Sequence, residues 1–235
     1  MRINWLSYLT IGLGILALAL QPILESQTTL QTFFDRNSAE TTVIIDPGHG
    51  GEDGGATGVT GALEKGINLS ISRKLQALLE FYGVNTVMTR EEDESIYDDM
   101  GASIKKKKIS DIKNRVKLVN KQDNPVLLSV HLNFFPQPDC RGAQVFYSKS
   151  NENSQALAEY VQDSLKCGIN DGNRRLAKAA ENSIYLMNHV DCPAVLTECG
   201  FLSNPDEEAL LVREEYQSKL AVCIAAGYLQ FVAAE

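Results

Sequence analysis

The sequence predicts a single α/β domain in which a twisted, mostly parallel central sheet is flanked by helices on both faces. Three observations carry that prediction. Short β-branched apolar runs, such as Thr42-Val43-Ile44-Ile45 and Val126 to Val130, read as strands buried on both sides. Segments with apolar residues at helical spacing alternate with them, the order expected of parallel strands joined by helical crossovers. No internal repeat and no second composition break divides the chain after residue 41.

The elements follow in order. Thr42 to Ile45 is the first strand. Ile67, Ile71, Leu75, Leu78 and Tyr82 recur at helical spacing, and Gly83 is placed to cap that helix. Val84 to Thr89 alternates and reads as a strand. Ile109, Ile112, Val116 and Val119 mark the next helix, and Val126 to Val130 the next strand, with His131 at its end. Gly142 to Ser148 reads as a strand nearer an edge, and Ala156 to Leu165 as a helix. Ile184 to Met187 and Ala194 to Thr197 are read as two further strands. Pro205-Asp206-Glu207-Glu208 has the composition of a helix start, its acids favourably placed against the dipole. A long apolar helix, Tyr216 to Val232, closes the chain.

The N-terminus is of another kind. Arg2 precedes a mostly apolar stretch from Trp5 to Leu24, and no acidic residue occurs before Glu25. Residues 1–25 therefore read as a signal peptide or an N-terminal membrane anchor. Ala17-Leu18-Ala19 suits cleavage, whereas the length of the run suits retention. Residues 26–40 are mainly polar and read as a linker, which leaves 41–235 as the folded domain. The expectation is an exported protein outside the inner membrane, secreted or N-terminally anchored.

A net charge of −8 argues against a nucleic-acid partner, which would need a basic face. The run Lys105-Lys106-Lys107-Lys108 reads as a solvated loop, the alternative being contact with an anionic wall polymer. Five cysteines, Cys140, Cys167, Cys192, Cys199 and Cys223, form no CxxC knuckle and cannot all pair. Most read as small buried hydrophobes.

Four segments carry the chemistry. They are Asp46-Pro47-Gly48-His49-Gly50-Gly51, Leu63-Glu64-Lys65, Ser129-Val130-His131-Leu132-Asn133 and Leu196-Thr197-Glu198-Cys199-Gly200-Phe201. His49, His131 and Glu198 lie at or just past strand ends, where open α/β sheets bind ligands. Two imidazoles and a carboxylate suit zinc, and three protein ligands leave a fourth position for water. A Gly-rich loop after a strand can also cradle phosphate, but neither GxxxxGK[ST] nor GxGxxG is present. A carboxylate at a buried strand end, such as Glu198, is costly unless it has a task. Asp46 is a candidate to orient a ligand histidine; a structural role is the alternative. The remaining histidine, His189, has no matching partner and reads as non-ligating.

Taken together and in this order, the four segments resemble the zinc-dependent N-acetylmuramoyl-L-alanine amidases of the third amidase family, from about Thr41 to the C-terminus. The resemblance implies that His49, Glu64 and His131 bind Zn2+, that Glu198 is catalytic, and that peptidoglycan is the substrate. Asn133 and the loop after Glu198 are further expected near substrate. The segments Asp111 to Asn120, Ile184 to Met187 and Gly200 to Pro205 are similar to those of the germination-specific amidases of spore formers. That likeness implies removal of stem peptides from spore-cortex peptidoglycan before muramic-δ-lactam formation, in the forespore intermembrane space. A vegetative wall amidase, a zinc peptidase cutting within the stem peptide and a non-catalytic wall binder that keeps its metal are the rival readings.

Overall fold

A computed structural model describes residues 41–169 and 172–234. The expected N-terminal signal or anchor and its linker lie outside the described residues. Among the described residues, no helix is long and apolar enough to cross a membrane.

Six strands form one sheet: β1 (Thr42–Pro47), β2 (Asn85–Met88), β3 (Pro125–Asn133), β4 (Gln144–Tyr147), β5 (Lys178–Ala179) and β6 (Ala194–Phe201). Six helices pack around it: α1 (Glu64–Phe81), α2 (Ile104–Asn120), α3 (Asn153–Ile169), α4 (Tyr185–His189), α5 (Pro205–Leu211) and α6 (Glu214–Ala234). The strand order is β2-β1-β3-β6-β4-β5. β2, β1, β3 and β6 run parallel, and β4 joins β6 antiparallel. The predicted mostly parallel sheet with helices on both faces is what the chain forms.

Alternation along the strands explains the two-sided burial. Val43 and Ile45 of β1, with Leu128 and Val130 of β3, face a large core built with α1, α3 and α6. Ile44, Leu127 and Leu196 point the other way, into a smaller core with Val119 of α2 and Leu186 and Met187 of α4. Both faces are dry, so the strands read as continuous apolar runs rather than alternating ones.

Three local readings are corrected. Ile184 to Met187 is not a strand: Tyr185–His189 is a short helix, begun after Ile184. Asn188 Nδ2 and His189 Nδ1 bond back to the carbonyls of Ile184 and Tyr185. A four-residue apolar run has no period long enough to separate the two conformations. Lys105 to Lys108 lie in the first turn and a half of α2 rather than in a loop. The two-residue β5 went unpredicted. Gly142 to Ser148 does form a strand next to the short edge strand. All five cysteines are free, with Cys192, Cys199 and Cys223 buried.

Candidate metal centre and active site

The site forms at the C-terminal ends of β1, β3 and β6. β1 ends at Pro47, and the chain turns at once through Gly48 and His49. His49 has a left-handed backbone, φ +63°, which costs a non-glycine residue energy and persists only when neighbours fix it. The neighbours here are two arginines. Arg115 donates to the carbonyls of His49 (2.7 Å) and Pro47 (2.9 Å), and Arg90 to those of Gly48 and Pro47 (both 3.0 Å). Both arginines are buried.

Arg115 is itself held by Asp46 at 2.6 Å and Asp111 at 2.7 Å. Asp46 also accepts from Ser129 (2.6 Å) and Thr89 (2.7 Å). Burial pushes the Asp46 carboxyl up, but the Arg115 charge and those two hydroxyl bonds outweigh it and hold the group at about 2. Asp46 thus serves the arginine beneath the loop and bonds to neither ligand histidine. The residue that orients His49 is Asp53, whose Oδ2 accepts from Nδ1 at 2.9 Å. That bond leaves Nε2 as the free lone pair. Lys108 Nζ stands 2.7 Å from the other Asp53 oxygen, so one of the four lysines helps fix the loop. Lys107 likewise pairs with Glu52 at 2.8 Å.

Glu64 is the first residue of α1, where a carboxylate is favoured by the helix dipole. It is buried and turned inward. Its Oε2 accepts from Ala56 N at 2.8 Å, and its Oε1 from Leu132 N at 3.1 Å and Asn68 Nδ2 at 3.2 Å. The same Oε1 lies 3.2 Å from His49 Nε2 and 3.0 Å from His131 Nδ1. Burial opposes ionisation, yet the bonds to His131 and His49 outweigh it and hold Glu64 well below the usual carboxylate range. His131 comes from β3, at a register irregularity against β6 that falls between His131 and Asn133.

His49, Glu64 and His131 are the one group among the described residues whose ligand atoms converge on a possible ion, all within 4.8 Å of one another. The arrangement fits a metal. Tetrahedral ligands about 2.0–2.1 Å from zinc stand roughly 3.3–3.4 Å apart, close to the 3.0 and 3.2 Å edges at Glu64 Oε1. The two carboxylates nearest His49 also act on its ring. Burial disfavours the His49 imidazolium, but the bonds to Asp53 and Glu64 outweigh this and raise its pKa to about 9.

Two glycines are needed by this packing. A Cβ on Gly48 would stand 2.2–2.6 Å from the His131 ring. A Cβ on Gly55, at φ +69°, would stand 2.5 Å from Glu64 Oε2 and 2.7 Å from His49 Cδ2.

Glu198 faces this cluster from β6, where it pairs in register with His131. Its Oε2 is fully buried and has no hydrogen-bond partner among the described residues. Burial raises its pKa to about 7, the Glu64 charge adding to the effect and the two histidines opposing it. His189 lies apart on α4, stacked on Tyr185 with ring centroids 3.7 Å apart. The sequence pattern did not single out Asp53, Arg90 or Arg115. The spacing of Asp53 four residues after His49, inside a glycine loop, was the available signal for the first.

The wider comparisons agree with this geometry. Residues 43–230 match the family model Amidase_3, N-acetylmuramoyl-L-alanine amidase. The germination-specific N-acetylmuramoyl-L-alanine amidase of Bacillus subtilis is 36% identical over 189 residues, 80% of this chain and 78% of the relative. Among solved structures, the CwlD amidase of Clostridioides difficile, determined in complex with the GerS lipoprotein, superimposes with a TM-score of 0.80 at 38% identity. That match covers 83% of this chain and 99% of the other. The catalytic domain of CwlV, an amidase of Bacillus (Paenibacillus) polymyxa var. colistinus, gives a TM-score of 0.70 at 28% identity, covering 83% and 99%. The chain therefore belongs to the N-acetylmuramoyl-L-alanine amidase family and is a hydrolase of cell-wall peptidoglycan.

Proposed function

We propose that this chain is a zinc enzyme that cleaves the amide between the lactyl group of N-acetylmuramic acid and L-alanine in spore-cortex peptidoglycan, with His49, Glu64 and His131 holding the ion and Glu198 moving the proton. The observation that carries the reading is a pairing of opposites. Three ligand groups converge on one point, and beside them stands a buried carboxylate oxygen with no partner.

Zinc in that position would supply Lewis acidity, polarising the scissile carbonyl and lowering the pKa of the attacking water. The Glu198 carboxylate takes a proton from water as the water oxygen attacks the lactyl carbonyl carbon. When the carbon–nitrogen bond breaks, Glu198 returns that proton to the leaving L-alanine nitrogen. A base that ionises near neutrality suits both transfers, and Glu198 sits at about 7. Asp53 keeps His49 in one tautomer, and the Arg115 and Arg90 bonds fix the loop from which it projects.

The likeness to a germination-specific amidase and to CwlD supports the cortex role over a vegetative one. Export and anchoring through residues 1–25, and a lipoprotein partner of the kind crystallised with CwlD, are part of the same proposal. Digestion of purified peptidoglycan tests the chemistry. New N-terminal L-alanine with intact glycan strands is expected. Cuts inside the stem peptide would make the chain a peptidase, and no products would make it a binder. Cell biology tests the setting: cortex from a strain lacking the protein should be depleted in muramic-δ-lactam. Normal lactam content would place the enzyme in vegetative wall turnover.

A further inference from the structure

Three guanidinium groups beside the site have no carboxylate partner among the described residues. β4 runs antiparallel to β6, so its N-terminal end lies at the same end of the sheet as the proposed zinc ligands and Glu198. Gln144 pairs in register with Glu198. Arg141 stands three residues before Gln144, across a bend at Gly142, whose φ is +89°.

The segment 173–175 is clamped onto this strand end. Asn173 Nδ2 donates to Ala143 O at 2.8 Å, and its Oδ1 accepts from Arg175 N at 3.0 Å. Arg175 Nε donates to Arg141 O at 3.1 Å, and its guanidinium lies over the Phe201 ring, 5.0 Å from the centroid. Phe201 is three residues beyond Glu198. Arg141, Arg174 and Arg175 then line one open depression with Gly142 and Asn173.

Elsewhere near the site four cations are matched by carboxylates, and the buried Arg90 is held by main-chain carbonyls. Lys65 pairs with Asp93, Lys107 with Glu52, Lys108 with Asp53 and Arg115 with Asp46. Among the described residues, no ion pair involves Arg141, Arg174 or Arg175. The buried Glu207 carboxylate instead accepts from the main chain of Gly142 and Phe201, both at 2.8 Å. In a chain of net charge −8, three adjacent arginines without an ion pair among the described residues make a local basic patch suited to an anion.

We propose that Arg141, Arg174 and Arg175 form a carboxylate subsite that binds the acidic part of the stem peptide next to the proposed hydrolytic centre. The proposal rests on the amidase reading and deepens it. Beyond L-alanine, a stem peptide carries a D-glutamyl residue joined through its γ-carboxyl, which leaves the α-carboxylate free. At ~3.4 Å per extended residue, the second and third stem residues lie within about 10 Å of the scissile amide. Arginine matches a planar carboxylate with two parallel N–H bonds, a fit that lysine lacks. The subsite would therefore set stem-peptide preference through binding rather than through the chemical step.

Two soluble muramyl peptides test this, one with the D-glutamyl α-carboxylate free and one with it as the carboxamide. Wild type should favour the free acid by ~10-fold in kcat/KM, the size expected of one charge-assisted hydrogen bond, and mainly through KM. The double variant Arg141→Gln, Arg174→Gln changes exposed side chains that make no hydrogen bond among the described residues. It should lose ~10-fold on the free acid and less than about threefold on the carboxamide. A variant that keeps the wild-type preference would overturn the subsite. Equal losses on both substrates would overturn it too, by reducing the arginines to a general attraction for anionic wall. A wild type that cuts neither substrate at the muramoyl–alanine bond would instead defeat the amidase reading. Calorimetric binding of the free tripeptide L-alanyl-γ-D-glutamyl-diaminopimelate needs no turnover. It should weaken ~10-fold in the double variant, and unchanged affinity would sink the proposal whatever the kinetics.

Discussion

Glu64 and Glu198 are carboxylates at one end of one sheet, and their surroundings are opposite. Around Glu64 the chain gathers donors: the amides of Ala56 and Leu132, the Asn68 side chain, and two imidazoles. Around Glu198 it gathers none among the described residues, and Oε2 is buried without a partner there. The first group is held well below the usual carboxylate range; the second is pushed up to about 7 by burial. A carboxylate saturated with donors keeps its charge and its position, which suits holding a cation. A carboxylate left dry and unpaired gains and loses a proton near neutrality, which suits acid–base work. Residue type alone does not distinguish the two; the loop and helix packed around each do.

The sharpest break of that comparison is to remove the proton-accepting capacity of one group and leave the other intact. Glu198→Gln should lower turnover by ~10²–10⁴-fold, the usual cost of losing a general base. Metal content should be unchanged, because Glu198 is not a proposed ligand. Elemental analysis beside a peptidoglycan digestion assay checks both. Metal lost along with activity would make Glu198 a ligand. Full turnover in the loaded variant would put the base elsewhere.

The buried network under the His49 loop gives the next largest effect, on stability rather than rate. Asp46→Asn leaves Arg115 buried with Asp111 as its one remaining carboxylate among the described residues, beside the carbonyls of Pro47 and His49. The cost at neutral pH should be about 2–3 kcal/mol, below the range for a fully orphaned buried charge. The folded Asp46 carboxyl sits at about 2, against an ordinary 3.8. Its contribution is therefore complete above pH ~4 and lost as pH falls through about 2. Urea unfolding of wild type and variant should show the gap between them closing over that window. A gap that is constant down to pH 2 would mean the network does not depend on the Asp46 charge.

The outcome for the sequence reading follows the same division between groups that belong to an element and groups that belong to its surroundings. His49, Glu64, His131 and Glu198 could be singled out as candidates, because each sits at the border of a strand or helix whose apolar period is clear, and the fold brings them to one end of the sheet. The layer fold was readable for the same reason: Ile44 and Ile45 must be buried on opposite faces. What serves these residues was not readable. Asp53 looks like any loop acid until the turn at His49, φ +63°, brings it back onto Nδ1. Arg115 looks like one charge among many on α2, yet it reaches 68 positions back in sequence to the Pro47 carbonyl. Asp46 drew attention at the strand end, but its partners are a matter of tertiary packing. The lysine run failed as a loop because two of its charges, Lys107 and Lys108, are matched by Glu52 and Asp53 across space, which no local rule detects.

Asp53 is where the surroundings of a ligand can be tuned without touching the ligand. Asp53→Asn keeps an oxygen for Nδ1 but removes the charge and frees the amide to turn its donor toward the ring. Loss of such a ligand-orienting carboxylate typically weakens metal affinity 10–100-fold. Competition with a chromogenic chelator measures it. Affinity within twofold of wild type would show that the loop backbone, fixed by Arg115 and Arg90, orients His49 unaided.

Lys108→Ala probes one step further out and should do least. Lys108 touches Asp53 at 2.7 Å, but its side chain is 52% exposed, so water already screens the pair. Exposed pairs of this kind contribute ~0–1 kcal/mol. The loss of metal affinity should be less than ~fivefold, and it should vanish in high salt, where the charge of Lys108 is screened in wild type as well. Asp53 keeps its bond from Gly55 N at 3.3 Å, which limits how far the carboxylate can move. The result locates the edge of the built site. If Lys108→Ala matched Asp53→Asn in size, Asp53 would act through its ion pair with α2, and the run of lysines would be part of the centre. If its effect is small and salt-sensitive, the precision of His49 resides in the buried arginines and in the Asp53 oxygen itself, and α2 contributes Arg115 from its inner face while its lysines only steady the loop from outside.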